Sequence, residues 1–312
     1  MKLPNSSLSL FVLAVLVLGL LVAGCGGGGS SSSGTTSSGG DSAAAADTEN
    51  VADEEGDGEG EEGGSAEEGT GEPGVVEAEW EKPHGEENIV GYELLKASET
   101  RSLAKSLATA FELPNPLLIK GVNGFGGGPF YNPEDNSITL PYEFPAVVWN
   151  VIVQSNPEET PEEWGEAAGA VNSFILAHEF AHALIHNFEL PVLGREEDAA
   201  DGIATVVLLK AQEGGLYAID AAEFWEAFSG RQDPPDLAEY ADNHSFDRQR
   251  ADNILCWVAG SDEPILEAFL EHEILPEDRL AACPSEWALL RSSAEQVLDP
   301  HLVNGANLAP SE

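Results

Sequence analysis

The sequence predicts an α+β fold over residues 91–312, a small antiparallel sheet or hairpin followed by a mainly helical body. Three observations lead there. Aliphatic and aromatic density rises to that of a globular chain only from about Tyr92. Two β-like runs, LLIKGVNGF and NSITLPYEF, flank a Pro-Glu-Asp-Asn cluster at 133–136. Beyond them, apolar residues recur at helical spacing between Pro and Gly punctuation.

The segments before the domain cannot bury a core. Lys2 precedes an apolar run from about Leu8 to Val22, too short for a lasting membrane span and ending at small residues, so residues 1–24 read as an export signal. Leu21-Val22-Ala23-Gly24-Cys25 resembles the lipobox of bacterial lipoproteins. That resemblance implies lipidation of Cys25, a membrane attachment through the lipid anchor only, and a place in the cell envelope or on the cell surface. Gly26 after the cysteine is compatible with an outer destination; the plainer alternative is a secretory signal with a chance cysteine. Residues 26–40 are Gly, Ser and Thr alone and 41–90 are rich in Glu, Asp, Gly and Ala, so 25–90 reads as a disordered, charge-extended stalk. A net charge of −43 with only thirteen Lys and Arg excludes nucleic acid held through its phosphates.

Within the domain, SETRSLAKSLATAF at 98–111 predicts an opening helix that Pro114 and Pro116 end. The two β-like runs then predict the hairpin. Helices follow over roughly 145–154, 162–188, 195–213, 218–229, 245–259, 264–273 and 277–298, with Pro157, Pro191, Gly194, Gly214, Pro234, Pro235, Gly260 and Pro276 as breaks. Cys256 and Cys283, an even pair in an exported domain, are most simply a disulfide, with two buried thiols as the alternative.

The chemistry concentrates in AHEFAH. His178 and His182 stand four apart, so a helix aims both imidazoles at one ion, while Glu179 lies about 100° round the axis, within reach of a water at that ion. Neutral imidazoles suit Zn²⁺, which lowers the pKa of a bound water and leaves Glu179 to act as general base. The residues around the triplet, Phe174 to Ala177 and Phe180 to Leu184 apart from His182, are uncharged. Such a helix belongs in the interior, where two histidines and a carboxylate need partners. In REEDAADGIA, Glu197 and Asp201 again stand four apart: Glu197 is the candidate third ligand, and Asp201 the group that fixes the far nitrogen of a ligand histidine. Glu196 as ligand would have Ala200 where that second carboxylate is needed. A metzincin pattern is excluded by Ile185 and Phe188, and His186 reads as an ordinary histidine near a helix end. Against all of this stands the blander reading of Glu196, Glu197, Asp198 and Asp201 as a solvated acidic face.

His-Glu-x-x-His followed by Glu-x-x-x-Asp is similar to the gluzincin, thermolysin-like metallopeptidases. With DNHSFDRQRADNILCWVAGSDEP and LPEDRLAACPSEW, residues of about 90–295 resemble an uncharacterised bacterial metallopeptidase family. The resemblance implies a zincin-like fold, a Zn²⁺ cofactor, a peptide or protein substrate and pairing of Cys256 with Cys283. It also implies that VNGF and FYN belong to a substrate-binding edge strand, with Asn123 holding substrate, and that a downstream histidine, His244 in DNHS, stabilises the oxyanion. Asn123 reads equally as a turn residue beside Gly124, and Tyr142 and Arg250 are weaker oxyanion candidates. Gly121 and Pro141 stand where many members carry cysteines, and Gly126-Gly127-Gly128 is inserted between the two motifs, changes that bear on the hairpin's rigidity. Two functions remain in view: a surface zinc peptidase, and an envelope lipoprotein whose zinc serves structure or ligand binding without turnover.

Overall fold

Parallel pairing, rather than the expected hairpin, dominates the sheet. The computed structural model describes residues 75–303 except 99, 125, 211–213 and 230–243. The export signal, Cys25 and the stalk as far as residue 74 lie outside the described residues. Strands β1 (Val76–Trp80), β2 (Leu117–Val122), β3 (Phe130–Asn132) and β4 (Ser137–Pro141) form one sheet in the order β1-β2-β4-β3. β1 runs parallel to β2 and β2 parallel to β4; only β3 and β4 are antiparallel.

The expected hairpin is therefore corrected. The turn does fall at 133–136, where Asn136 takes the left-handed conformation, but it joins the three-residue β3 to β4. LLIKGV pairs with SITLP in the same direction because the chain makes its reversal on the far side of β4, through β3. Every residue of β4 is buried, as a central strand covered on both faces requires. The stalk reading to residue 90 also ends too late. β1 and helix α1 (Glu86–Ala97) belong to the fold, and Trp80 packs against the main core.

Helices α2 (Thr100–Ala110), α3 (Glu143–Ser155), α4 (Pro161–Asn187), α5 (Glu196–Leu208), α6 (Gly214–Ser229), α7 (Asp247–Ser261), α8 (Glu263–Glu271) and α9 (Glu277–Leu298) complete the described elements, with a 3₁₀ turn at Asp299–His301. None of the described helices is long and apolar enough to cross a membrane.

α4 is the central element. Thr160 and Glu163 cap it reciprocally and Pro161 occupies its first turn, so the start is fixed by local chemistry. From Ala170 to Ile185 every side chain is buried, because the sheet side, α5 and α6 surround the helix. Leu176, Phe180 and Leu184 face the core shared with β2 and β4, whereas Phe174 and Ala177 face a second cluster built with α6 and α7. Helices α7 and α9 meet closely: a Cβ at Gly260 would fall 2.2 Å from the Cys283 carbonyl oxygen, and there Cys256 and Cys283 form a disulfide with Cα atoms 5.0 Å apart.

Candidate metal centre

The centre lies where the buried middle of α4 faces the first turns of α5. Three acids, Glu196, Glu197 and Asp198, open α5, where the helix dipole favours negative charge. The chain reverses between the two helices over 188–195, with Leu190 N–H bonded to the Ile185 carbonyl and Glu189 in the left-handed region.

Three donors converge. His178 Nε2 lies 3.2 Å from His182 Nε2, and Glu197 Oε2 lies 3.2 Å from the first and 3.3 Å from the second. These are the donors that could together hold a metal ion among the described residues. Donors about 2.0–2.1 Å from a tetrahedral ion stand about 3.3–3.4 Å apart, so the triangle already has the edge length that zinc-like coordination requires.

The far nitrogens decide which way the rings work. His178 Nδ1 donates to Asp201 Oδ1 at 2.8 Å and His182 Nδ1 donates to Glu196 Oε1 at 2.7 Å. In their neutral form, with both Nδ1 atoms carrying hydrogen, the two rings turn Nε2 lone pairs to the centre and to each other; when protonated they donate there to Glu197. Two lone pairs and a carboxylate oxygen at that separation repel unless a proton or a metal cation stands among them, and the histidines are under a tenth exposed. Around the centre, Glu179, Glu196, Glu197 and Asp201 set four carboxylates against the guanidinium of Arg250. A dication offsets most of that imbalance, so the residues present fit the implied metal.

Protonation follows the same geometry. Burial pulls the His178 imidazole down, but the Asp201 charge and its hydrogen bond, with that of Glu197, outweigh it and hold the group up at about 9. His182 is raised too: burial opposes, and the hydrogen bonds to Glu197 and Glu196 prevail. Burial would raise Glu197, yet hydrogen bonds from His178, His182 and His244 hold it well below the usual carboxylate range. Asp201, equally penalised by burial, is kept low by Arg250 and His178. Glu179 differs. Burial raises its carboxyl, and the nearby histidines and the Tyr131 backbone N–H only partly offset this.

Not every expected site residue stands at the centre in the expected role. His244 reaches Glu197, its Nε2 3.0 Å from Oε2, and Arg195 Nη1 donates to its carbonyl at 2.6 Å. It lies outside the mutually close donor triangle. Asn123 makes hydrogen bonds within the fold. Its Oδ1 accepts from the His84 N–H at 2.6 Å, and its Nδ2 donates to Glu81 Oε2 and the Lys82 carbonyl at 3.1 and 2.9 Å. The side chain ties the 81–84 loop to the sheet. Tyr142 is fully buried and donates to the Glu81 carbonyl at 2.9 Å. Arg250 is committed as well, its Nε and Nη2 each 2.8 Å from an Asp201 oxygen while the guanidinium lies 4.2 Å from the Trp225 ring centroid.

Three contributions escape the sequence pattern. Glu196 orients His182, Arg250 clamps Asp201 from α7, and the Tyr131 N–H on β3 reaches Glu179. The signal for Glu196 was the His182–His186 pair one turn apart, both of whose imidazoles meet Glu196 Oε1. Nothing in the local sequence announces the other two, which depend on tertiary pairing.

A buried helix carrying His-Glu-x-x-His, completed by a carboxylate from the following helix, gives the chain a His-His-Glu cluster that could hold a metal ion. Residues 80–298 match the family described as "Putative metallopeptidase", and the chain belongs to that family. No curated protein and no solved structure matches it.

Proposed function

We propose that the protein is a zinc-dependent peptidase of the gluzincin kind, exported and held at the cell envelope by a lipid on Cys25. The observation that carries the activity is the convergence of His178, His182 and Glu197 with a buried carboxylate, Glu179, beside them on the same helix. Zinc held by those three donors would supply a Lewis acid and a water of lowered pKa. Glu179 takes the proton of the attacking water at its carboxylate and passes it to the departing amine. Its burial favours this role by raising its basicity.

The other residues bind, orient and stabilise. β3 is the edge strand beside Glu179, so an extended peptide can add to the sheet there through main-chain hydrogen bonds. His244, next to Glu197 at the rim of the centre, is positioned to donate to the oxyanion that develops at the scissile carbonyl. Asp201 and Glu196 hold the ligand imidazoles in the required tautomer, and Arg250 fixes Asp201. The zincin-like fold and the lipid anchor rest on the sequence resemblances.

Glu179→Gln is the test. Zinc content should stay at the wild-type level while peptide cleavage falls by at least about 10²-fold, the scale of general-base catalysis. Retained cleavage would reject the mechanism. A zinc-loaded wild type that cleaves no peptide would instead favour a structural or binding role for the metal.

A further inference from the structure

Beyond the metal ligands, an open pocket of about 650 Å³ lies off the end of β3, between the 133–136 turn and the C-terminus of α4. Its volume falls in the range of ligand sites, about 300–1,000 Å³. Tyr131 connects it to the centre: the backbone N–H of that residue meets Glu179, while its ring lines the pocket and its hydroxyl donates to Asn136 Oδ1 at 2.8 Å. His186, one turn beyond His182, forms part of the wall and is anchored by Glu196.

The wall is fixed rather than a chance gap. Asn136 Nδ2 donates to the Pro116 carbonyl at 2.7 Å, and Asn187 Nδ2 donates to Asn136 Oδ1 and to the Ala183 carbonyl, both at 2.8 Å. Among the described residues three non-glycines adopt positive φ, and two of them, Asn136 and Glu189, line this pocket. Such backbone persists only where its surroundings enforce it.

The permanently charged side chains of the pocket lining have one sign. Glu112 and Glu189 line it beside two histidines, His186 and His301, no Lys or Arg is among its described lining residues, and the C-terminal turn of α4, the negative end of that helix, forms part of the wall. We propose that this pocket is a substrate subsite that selects a basic side chain, Lys or Arg, on a peptide laid along β3, with Glu112 and Glu189 as the specificity-determining residues. The Asn136–Asn187–Tyr131 network sets the depth at which the cation sits.

This inference rests on the peptidase reading, so its test reads binding and turnover separately. Peptide pairs differing only by Lys or Gln at successive positions are titrated into the zinc-loaded Glu179→Gln protein, and the same pairs are assayed for kcat/KM with wild type. At one position Lys should bind about tenfold tighter than Gln, and the kcat/KM ratio should follow. In Glu112→Gln/Glu189→Gln that ratio should fall to near one. Glu112→Lys/Glu189→Lys should turn the preference towards Glu, an inversion that mere loss of structure does not produce. Cleavage without any preference for Lys, or a preference unaffected by both double variants, overturns the subsite while leaving the peptidase intact. Lys-selective binding that depends on Glu112 and Glu189 in a protein that cleaves nothing upholds the subsite and rejects the peptidase.

Discussion

Asp201→Asn offers a quantitative probe of how the centre is held. The Asp201 side chain is 3% exposed, and its two oxygens accept three charge-assisted or imidazole hydrogen bonds, all at 2.8 Å. Asparagine supplies one acceptor oxygen and replaces the other with a donor. One N–H of Arg250 or of His178 then faces an N–H, and the buried guanidinium loses its counter-charge. Breaking a buried ion pair from one side costs about 3–5 kcal/mol. Releasing a ligand histidine from its carboxylate costs about 10- to 100-fold in metal affinity, or about 1.4–2.7 kcal/mol. Arg250→Met should cost a similar stability but less affinity, because the Asp201–His178 bond remains. The double variant should cost less than the sum of the singles, since each single strands the other's buried charge. Zinc affinity is read by competition with a chromophoric chelator, and stability by denaturant unfolding in excess chelator. An Asp201→Asn protein that binds zinc within twofold of wild type, or strict additivity in the double variant, would refute the reasoning.

Further outcomes follow from the same structure. Glu196→Ala should weaken zinc about tenfold, less than Asp201→Asn because the Glu196 side chain is 38% exposed and water can replace it; the same competition titration reads this. Burial first, then the charges of Glu223, Glu159 and Glu166, raise Asp220 on α6 to about 7. A carboxyl whose folded pKa lies above its unfolded value stabilises fully below the unfolded pKa and loses that contribution as pH rises towards 7. Asp220→Asn should therefore gain on wild type between about pH 4 and pH 8, by about 1–2 kcal/mol after allowance for solvent screening, in unfolding curves across that range. The Cys256–Cys283 bridge closes a separation of 27 residues, for which loop entropy gives about 3.5 kcal/mol. Replacing both cysteines with alanine should lower unfolding free energy by about that amount while zinc stoichiometry stays unchanged.

What the sequence disclosed depended on how local the cause was. α4 was legible because a Thr-Pro-Glu-Glu start, helical periodicity and Pro191 act within a few residues, and its bounds fall within one residue of expectation. The ligand triangle was legible for the same reason: i, i+4 spacing on α4 and α5 fixes which side chains share a face. Strand pairing was not. β3 spans three residues and carries no alternation, so nothing local showed that it, and not LLIKGV, pairs antiparallel with β4. β1 was hidden by its composition, VEAEW, whose acidic positions match the stalk but lie on an edge strand's exposed positions. Asn123 beside Gly124 suits a turn and a substrate contact alike, and its hydrogen bonds to Glu81 and Lys82 join segments distant in the chain, which no local pattern announces.

The most direct measurement is the metal content of the folded full chain and of single replacements at the donor triangle. Elemental analysis should give one zinc per wild-type chain, a near-complete loss in His182→Ala and Glu197→Ala, and full retention in Glu179→Gln. A wild type that folds and unfolds cooperatively without any bound metal, unchanged on adding zinc, would contradict the account at its base.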